Sequence, residues 1–202
     1  MALRVISGEF RGRKLFAPRD DRVRPTTDRV KEAVFNIAQP LIEDAVCLDL
    51  FAGTGSLGIE ALSRGASLVY FCDNSKESLD LVRRNLDHVG APPNSAVLLG
   101  TGWKAAIARI AEMGGGVEMV FVDAPYALCE YYSEILGLLS DSGILCEEAL
   151  VFIERDAKAD GYLAELPEGM EPVRSRRYGN TAVDVVCGSR VGARDDRGGV
   201  RE

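Results

Sequence analysis

An α/β fold with a mostly parallel sheet, closed by an antiparallel hairpin, is the class predicted for this 202-residue sequence. Three observations predict it. Between residues 46 and 155, short apolar runs alternate with amphipathic stretches of helical period. A glycine-rich turn leaves the first of these runs and opens directly into a helical pattern. Near the C-terminus, two further strand-like runs flank a Gly-Asn pair, the chemistry of a tight hairpin turn.

The elements follow in order. Residues 3–16 alternate weakly around Gly8 and Gly12, which suits a small hairpin. Thr26 or Thr27 can cap a helix with Val30, Ala33, Val34 and Ile37 as its apolar positions, stopped by Pro40. The run 46–51 reads as a strand, the glycine turn feeds a helix through Ile59, Ala61 and Leu62, and 67–73 is a second strand. Residues 75–90 form an amphipathic helix with Leu79, Val82 and Leu86 on one stripe and Gly90 at its end. A strand at 95–99 and a helix at 103–113 come next. The run 117–123 is very apolar, so it reads as a central strand covered on both faces. A helix at 129–140, a strand at 149–155, and the hairpin 172–179 with 180–188 complete the sheet. The last twelve residues are charged and glycine-rich and predict a disordered tail. The organisation expected is an N-terminal hairpin and helix over 1–40, a main domain over 41–190 and the tail over 191–202.

Composition narrows the functional classes. No apolar run approaches the roughly 20 residues of a membrane helix. The N-terminal stretch lacks the apolar centre of a secretory signal, so a cytoplasmic protein is expected. Cys47, Cys72, Cys129, Cys146 and Cys187 have no C-x-x-C spacing, and His88 is the sole histidine, so no metal site is expected. Net charge is −7, yet residues 1–31 hold nine Lys and Arg against four Asp and Glu. Local potential governs contact with phosphates, so a basic face on an acidic chain is compatible with RNA.

Two motifs carry chemistry. In the stretch 48–58, Gly53, Gly55 and Gly58 satisfy G-x-G-x-x-G, a spacing that lets backbone N–H groups approach a ligand. Asp73 ends the second strand, where a carboxylate can accept ribose hydroxyls; nicotinamide and S-adenosylmethionine sites share that feature. Asp49 precedes the loop, where a nicotinamide site is normally apolar. It suits the cationic methionine end of S-adenosylmethionine, or else is satisfied by loop amides. The second motif, Asp123-Ala124-Pro125-Tyr126, ends the fourth strand. An exocyclic base amine is a poor nucleophile because its lone pair is delocalised into the ring. The Asp123 carboxylate and the Ala124 carbonyl can accept its two N–H bonds, Pro125 stiffens the turn, and Tyr126 can stack on a flipped base. The alternative is a strand-end turn with a packed tyrosine.

These residues resemble a family. The stretch 49–66 and the motif 123–126 are similar to bacterial 16S rRNA guanine-N2 methyltransferases that modify guanine 966, as are 4–15, 24–36 and 176–183. The resemblance spans roughly residues 3–188. It implies the Rossmann-like class I methyltransferase sheet of seven strands, S-adenosylmethionine as donor, and 16S rRNA or the small ribosomal subunit as partner; a monomer is expected. It implies that Asp123, Ala124, Pro125 and Tyr126 are catalytic. Asp49, Phe51, Ala52, Gly53, Thr54, Gly55, Gly58, Asp73, Asn74, Thr101, Gly102 and Trp103 are the implied cofactor residues. Arg4, Arg11, Arg13, Lys14, Arg24, Thr26, Thr27 and Arg29 are implied to face RNA, the arginine forks matching phosphates. Two departures stand out. Ala124 replaces the first proline of the family's usual pocket motif. Thr101 or Gly102 stands where an Asp or Asn usually reaches the adenine amine. The competing readings are a DNA amino-methyltransferase, a non-catalytic RNA-binding assembly factor and a nicotinamide oxidoreductase.

Overall fold

The computed structural model describes residues 3–18, 28–124, 131–158 and 166–188. The expected tail, Arg24, Thr26, Thr27, Pro125, Tyr126 and Cys129 lie outside these residues.

The chain opens with a hairpin held by one antiparallel bridge, Arg4 to Lys14. The Val5 amide donates to the Arg13 carbonyl at 2.9 Å and the Leu15 amide to the Leu3 carbonyl at 2.8 Å. Helix α1 (Asp28–Ala38) follows, then a 3-10 turn (Gln39–Leu41) that contains Pro40. Strand and helix then alternate: β1 (Val46–Asp49), α2 (Ser56–Ser63), β2 (Leu68–Cys72), α3 (Lys76–His88), β3 (Ala96–Leu99) and α4 (Trp103–Glu112). After them come β4 (Val117–Val122), α5 (Tyr132–Asp141), β5 (Leu145–Asp156), β6 (Met170–Tyr178) and β7 (Thr181–Gly188).

The seven strands form one sheet in the order β3-β2-β1-β4-β5-β7-β6. The first five run parallel, while β7 is antiparallel to both β5 and β6. Side chains alternate between two apolar layers, as the period of a strand requires. Cys47, Val69, Phe71, Met119, Phe121 and Phe152 face the layer shared with α1, α2, α3 and the hairpin. Leu48, Tyr70, Val120, Val122 and Val151 face α4 and α5. The doubly covered β4 is the apolar central strand its composition predicts.

Two expectations are corrected. The stripe read on α1 is displaced, because the buried positions are Val30, Lys31, Val34, Phe35 and Ala38. Phe35 decides the helix orientation: its ring meets Phe121 at 5.4 Å, and Phe121 stacks on Phe152 at 5.6 Å. Ala33 and Ile37 are left only half-buried at the margin. The fifth strand is longer than 149–155, beginning at Leu145. Its pairing with β4 shifts between Val117 and Met119, and Glu148 takes φ 60°. The exposed Glu147 and Glu148 of this irregularity conceal the first half of the strand from a reading by apolar pattern. The other boundaries move by one to three residues.

Candidate functional site

Sheet order places the site. From β1 the chain winds outward through β2 and β3, and from β4 it winds the other way through β5. The crevice of such a sheet lies where the winding reverses, beyond the carboxyl ends of β1 and β4. These strands are neighbours, with Asp49 opposite Phe121, and the Leu50 amide donates to the Phe121 carbonyl at 3.0 Å. The glycine turn after β1 and Asp123 after β4 therefore open on the same edge, side by side.

Backbone geometry explains the turn. Gly53 and Gly55 adopt φ of 53° and 77°, conformations costly for residues with a Cβ, and Gly55 caps α2. Gly58 has a different task. It is buried inside α2, where a Cβ would lie 2.3 Å from the Phe71 ring, so its absence of side chain lets the helix lie on β2. Its amide donates to the Asp49 carboxylate at 3.0 Å. The Ala52 amide donates to the Cys72 carbonyl, and the buried Thr54 carbonyl accepts from the Asn85 side chain at 2.8 Å. Phe51 is half-buried at the turn.

Three carboxylates converge on this edge. Asp73 accepts from the Gly53 amide at 2.9 Å and the Ser75 amide at 2.8 Å, which ties the end of β2 to the turn. Asp49 is 1% exposed. Burial pushes its carboxyl up to about 7; the Gly58 amide opposes this, and the charges of Asp123 and Asp73 add to it. Asp123 is half-buried and Ala124 buried. The hydroxyl of Ser56, at the first residue of α2, is buried with no partner among the described residues. Clustered acids with an open hydroxyl suit a ligand that brings positive charge and a hydrogen-bonding group.

The remaining expected residues surround this centre. Asn74 is exposed beside Asp73. The Thr101 carbonyl accepts from the Cys72 thiol at 3.4 Å, and Gly102 caps α4. Trp103 is half-buried, packing on the α4–α5 layer, with the Lys104 ammonium 5.1 Å from its ring. Cys47 and Cys72 are buried, and burial raises both thiols, Cys72 to about 12. His88 is exposed, its ring tilted against Phe16 with centroids 4.9 Å apart. No metal-ligand cluster occurs among the described residues.

The basic N-terminal residues divide into two groups. Arg4 pairs with Asp28 at 2.9 Å, and Arg29 lies 5.8 Å over the Tyr178 ring, both near the start of α1. Arg13 donates to the Val89 carbonyl, and the Glu9 amide donates to the Ser63 carbonyl at 2.7 Å. Those partners are the C-terminal ends of α3 and α2, so the hairpin tip with Arg11 and Arg13 sits at the edge opposite the crevice. Lys14 is exposed on the same hairpin.

What holds the hairpin was not visible in the sequence. Glu60, fully buried in α2, accepts the Ile6 amide at 2.8 Å, the Ser7 amide at 3.0 Å and the Arg64 guanidinium at 2.9 Å. Lys31 of α1, also fully buried, lies 3.5 Å from the same carboxylate and donates to the Arg4 carbonyl at 2.7 Å. The one available signal was an acid flanked by Ile59 and Ala61 in a helix apolar all round.

The chain matches the family model described as "Conserved hypothetical protein 95" over residues 3–187. It is 40% identical over 158 residues to the Escherichia coli "Ribosomal RNA small subunit methyltransferase D", covering 77% of this chain and 76% of the relative. It is 34% identical to the Bacillus subtilis "Putative rRNA methyltransferase YlbH", covering 91% of this chain and 97% of the relative. Among solved structures it is similar to "Putative methyltransferase yhhF from Escherichia coli", with TM-score 0.79 and 30% identity over 95% of this chain and 100% of that one.

Proposed function

This chain belongs to the family described as conserved hypothetical protein 95, and from that membership we propose that it methylates the exocyclic N2 of a guanine in bacterial 16S ribosomal RNA. S-adenosylmethionine is the donor, supplying a methyl group already activated by its sulfonium charge. One observation carries the reading: Asp123 and the glycine turn share an edge on neighbouring strands, with Asp49 at the end of β1 and Asp73 tied to the turn from β2.

The residues divide the work. Asp73 and the backbone of Gly53 and Gly55 would hold the ribose and methionine ends of the donor, and Ser56 offers a hydroxyl with no partner among the described residues. Asp49 presents a buried charge that a cation relieves. Thr101, Gly102 and Trp103 border the adenine. Asp123 and the Ala124 carbonyl would accept hydrogen bonds from the two N–H groups of the base amine, hold it toward the methyl group and stabilise the positive charge that develops on its nitrogen, one of whose protons passes to the Asp123 carboxylate or to solvent. No side-chain nucleophile is required, so positioning and preorganised charge supply the rate. Pro125 and Tyr126 complete the pocket motif in sequence, beyond the described residues. Arg4 and Arg29, near the start of α1, would face the RNA on the crevice edge, with Lys14 beside them as the bridge partner of Arg4; Arg11 and Arg13 would engage more distant phosphates.

Radiolabelled methyl transfer to small-subunit particles, naked RNA and DNA, run in parallel with nucleoside digestion, tests the proposal. N2-methylguanosine from ribosomal RNA is expected; label only in DNA, or on another base, discards it. Asp123→Ala is expected to lower methyl transfer by at least about a hundredfold with cofactor affinity largely retained. Wild-type turnover in that variant removes Asp123 from the mechanism.

A further inference from the structure

A groove of about 500 Å³ runs between α1 and strand β6, away from the three-carboxylate centre. Its lining includes Arg29, Glu32, Asn36, Arg174, Arg176 and Tyr178. Three arginines against one glutamate form a cationic surface on a chain of net charge −7. Arg29, Arg174 and Arg176 are all exposed. Tyr178 is half-buried beneath the Arg29 guanidinium, 5.8 Å from ring centre to charge, and this contact steadies the fork at the groove mouth.

Strand direction fixes where the groove leads. Strand β5 runs toward the crevice edge, as β4 does, and β7 returns from it with Thr181 opposite Asp156. Strand β6 then runs toward the crevice again and finishes at Tyr178, opposite Thr181. The mouth of the groove, at Tyr178 and Arg29, therefore opens on the same edge as Asp123. Three strand spacings separate β4 from β6, about 14 Å at the usual interval. A nucleotide chain whose target base sits at Asp123 reaches that mouth within a few residues.

We propose that this groove carries the RNA backbone flanking the modified nucleotide, with Arg174 and Arg176 of β6 and Arg29 of α1 holding its phosphates. The inference rests on the functional reading above and extends it to a strand that the basic N-terminal segment does not include. Arginine forks on an edge strand suit phosphates bidentately, and Asn36 adds a neutral donor for phosphate or sugar. The single carboxylate among the described lining residues, Glu32, biases the path toward the arginine side of the groove.

The test compares wild type with Arg174→Gln/Arg176→Gln and with Arg29→Gln. The probe is a 16S rRNA fragment containing the nucleotide that wild type methylates, titrated across a range of salt. The double variant is expected to bind about tenfold more weakly at low salt, with the salt slope reduced by about 1.4 for two single-strand phosphates. Arg174→Lys/Arg176→Lys is expected to recover most of the slope, since lysine keeps the charge. Arg109→Gln on α4, across the sheet, controls for general charge loss and should leave the slope unchanged. Wild-type unfolding temperature and cofactor affinity exclude misfolding, and these exposed side chains favour that result.

Unchanged RNA affinity and slope in the double variant, beside a wild type that methylates RNA, overturns the groove alone. So does a double variant that binds the fragment normally but fails on assembled subunits, because the groove then holds a protein. A wild type that neither binds nor methylates RNA overturns the functional reading and the groove with it.

Discussion

Asp49 sits under opposing demands. Burial and two neighbouring carboxylates raise its carboxyl to about 7, while the Gly58 amide pulls the other way. The folded chain thus holds a proton that the unfolded chain releases near the ordinary value of 3.8. Stability from this group is complete below that value and is lost as pH rises through about 7. Without cofactor, the unfolding temperature is therefore expected to fall by several degrees between about pH 5 and about pH 8. Asp49→Asn should flatten that part of the fall, and added S-adenosylmethionine should oppose it at the higher pH. A wild-type profile identical to that of Asp49→Asn in thermal melts refutes the assignment. The same residue shows what sequence resolves at this scale. Its position before the glycine turn marked it as unusual; the Gly58 amide satisfies one oxygen, as the loop-amide reading expects, while the role toward a cationic ligand belongs to the proposal.

The hairpin, α1 and α2 meet at Glu60. Its carboxylate accepts two hairpin amides and the Arg64 guanidinium, beside the Lys31 ammonium whose pKa burial lowers. Glu60→Ala strands these donors in an apolar layer, so a loss of about 3–5 kcal/mol is expected in denaturant unfolding. A loss under about 1 kcal/mol would show that water replaces the carboxylate. Elements themselves were largely legible, because strands such as 117–122 and the amphipathic α3 have one reading by period. Orientation was less so. The face of α1 depends on Phe35 meeting Phe121, a contact between residues far apart in the chain, and local pattern does not encode it. The placement of Arg11 and Arg13 at the far edge depends likewise on Ser63 and Val89. Gly8 shows how close that docking is, since a Cβ there would lie 1.7 Å from the Ser63 carbonyl. Of the site, the glycine turn, Asp73 and Asp123 were legible as motifs, whereas the β6 groove arises only when the hairpin folds back beside α1.

At the scale of the molecule, the sheet is two halves joined at β1 and β4, and one half depends on distant sequence. Strand β5 has β4 on one side and β7 on the other, paired from Ala149–Gly188 to Asp156–Thr181. The buried Arg155 and Asp184 side chains form an ion pair across that seam. Truncation after Asn180 removes the strand that pairs with both β5 and β6, and with it the Asp184 carboxylate that accepts from Arg155. Such a chain is expected to be insoluble or to lack near-ultraviolet circular dichroism, although every proposed donor and base residue is retained. A soluble truncated chain with native tertiary signal would show that the first five strands stand alone.

The insertion of β7 between β5 and β6 also has a meaning in time. During translation β5 and β6 emerge first, and the strand that belongs between them comes last of the seven. A nascent chain thus exposes the unpaired backbone edge of β5 until the closing strand leaves the exit tunnel, an interval in which chaperone capture competes with misassembly.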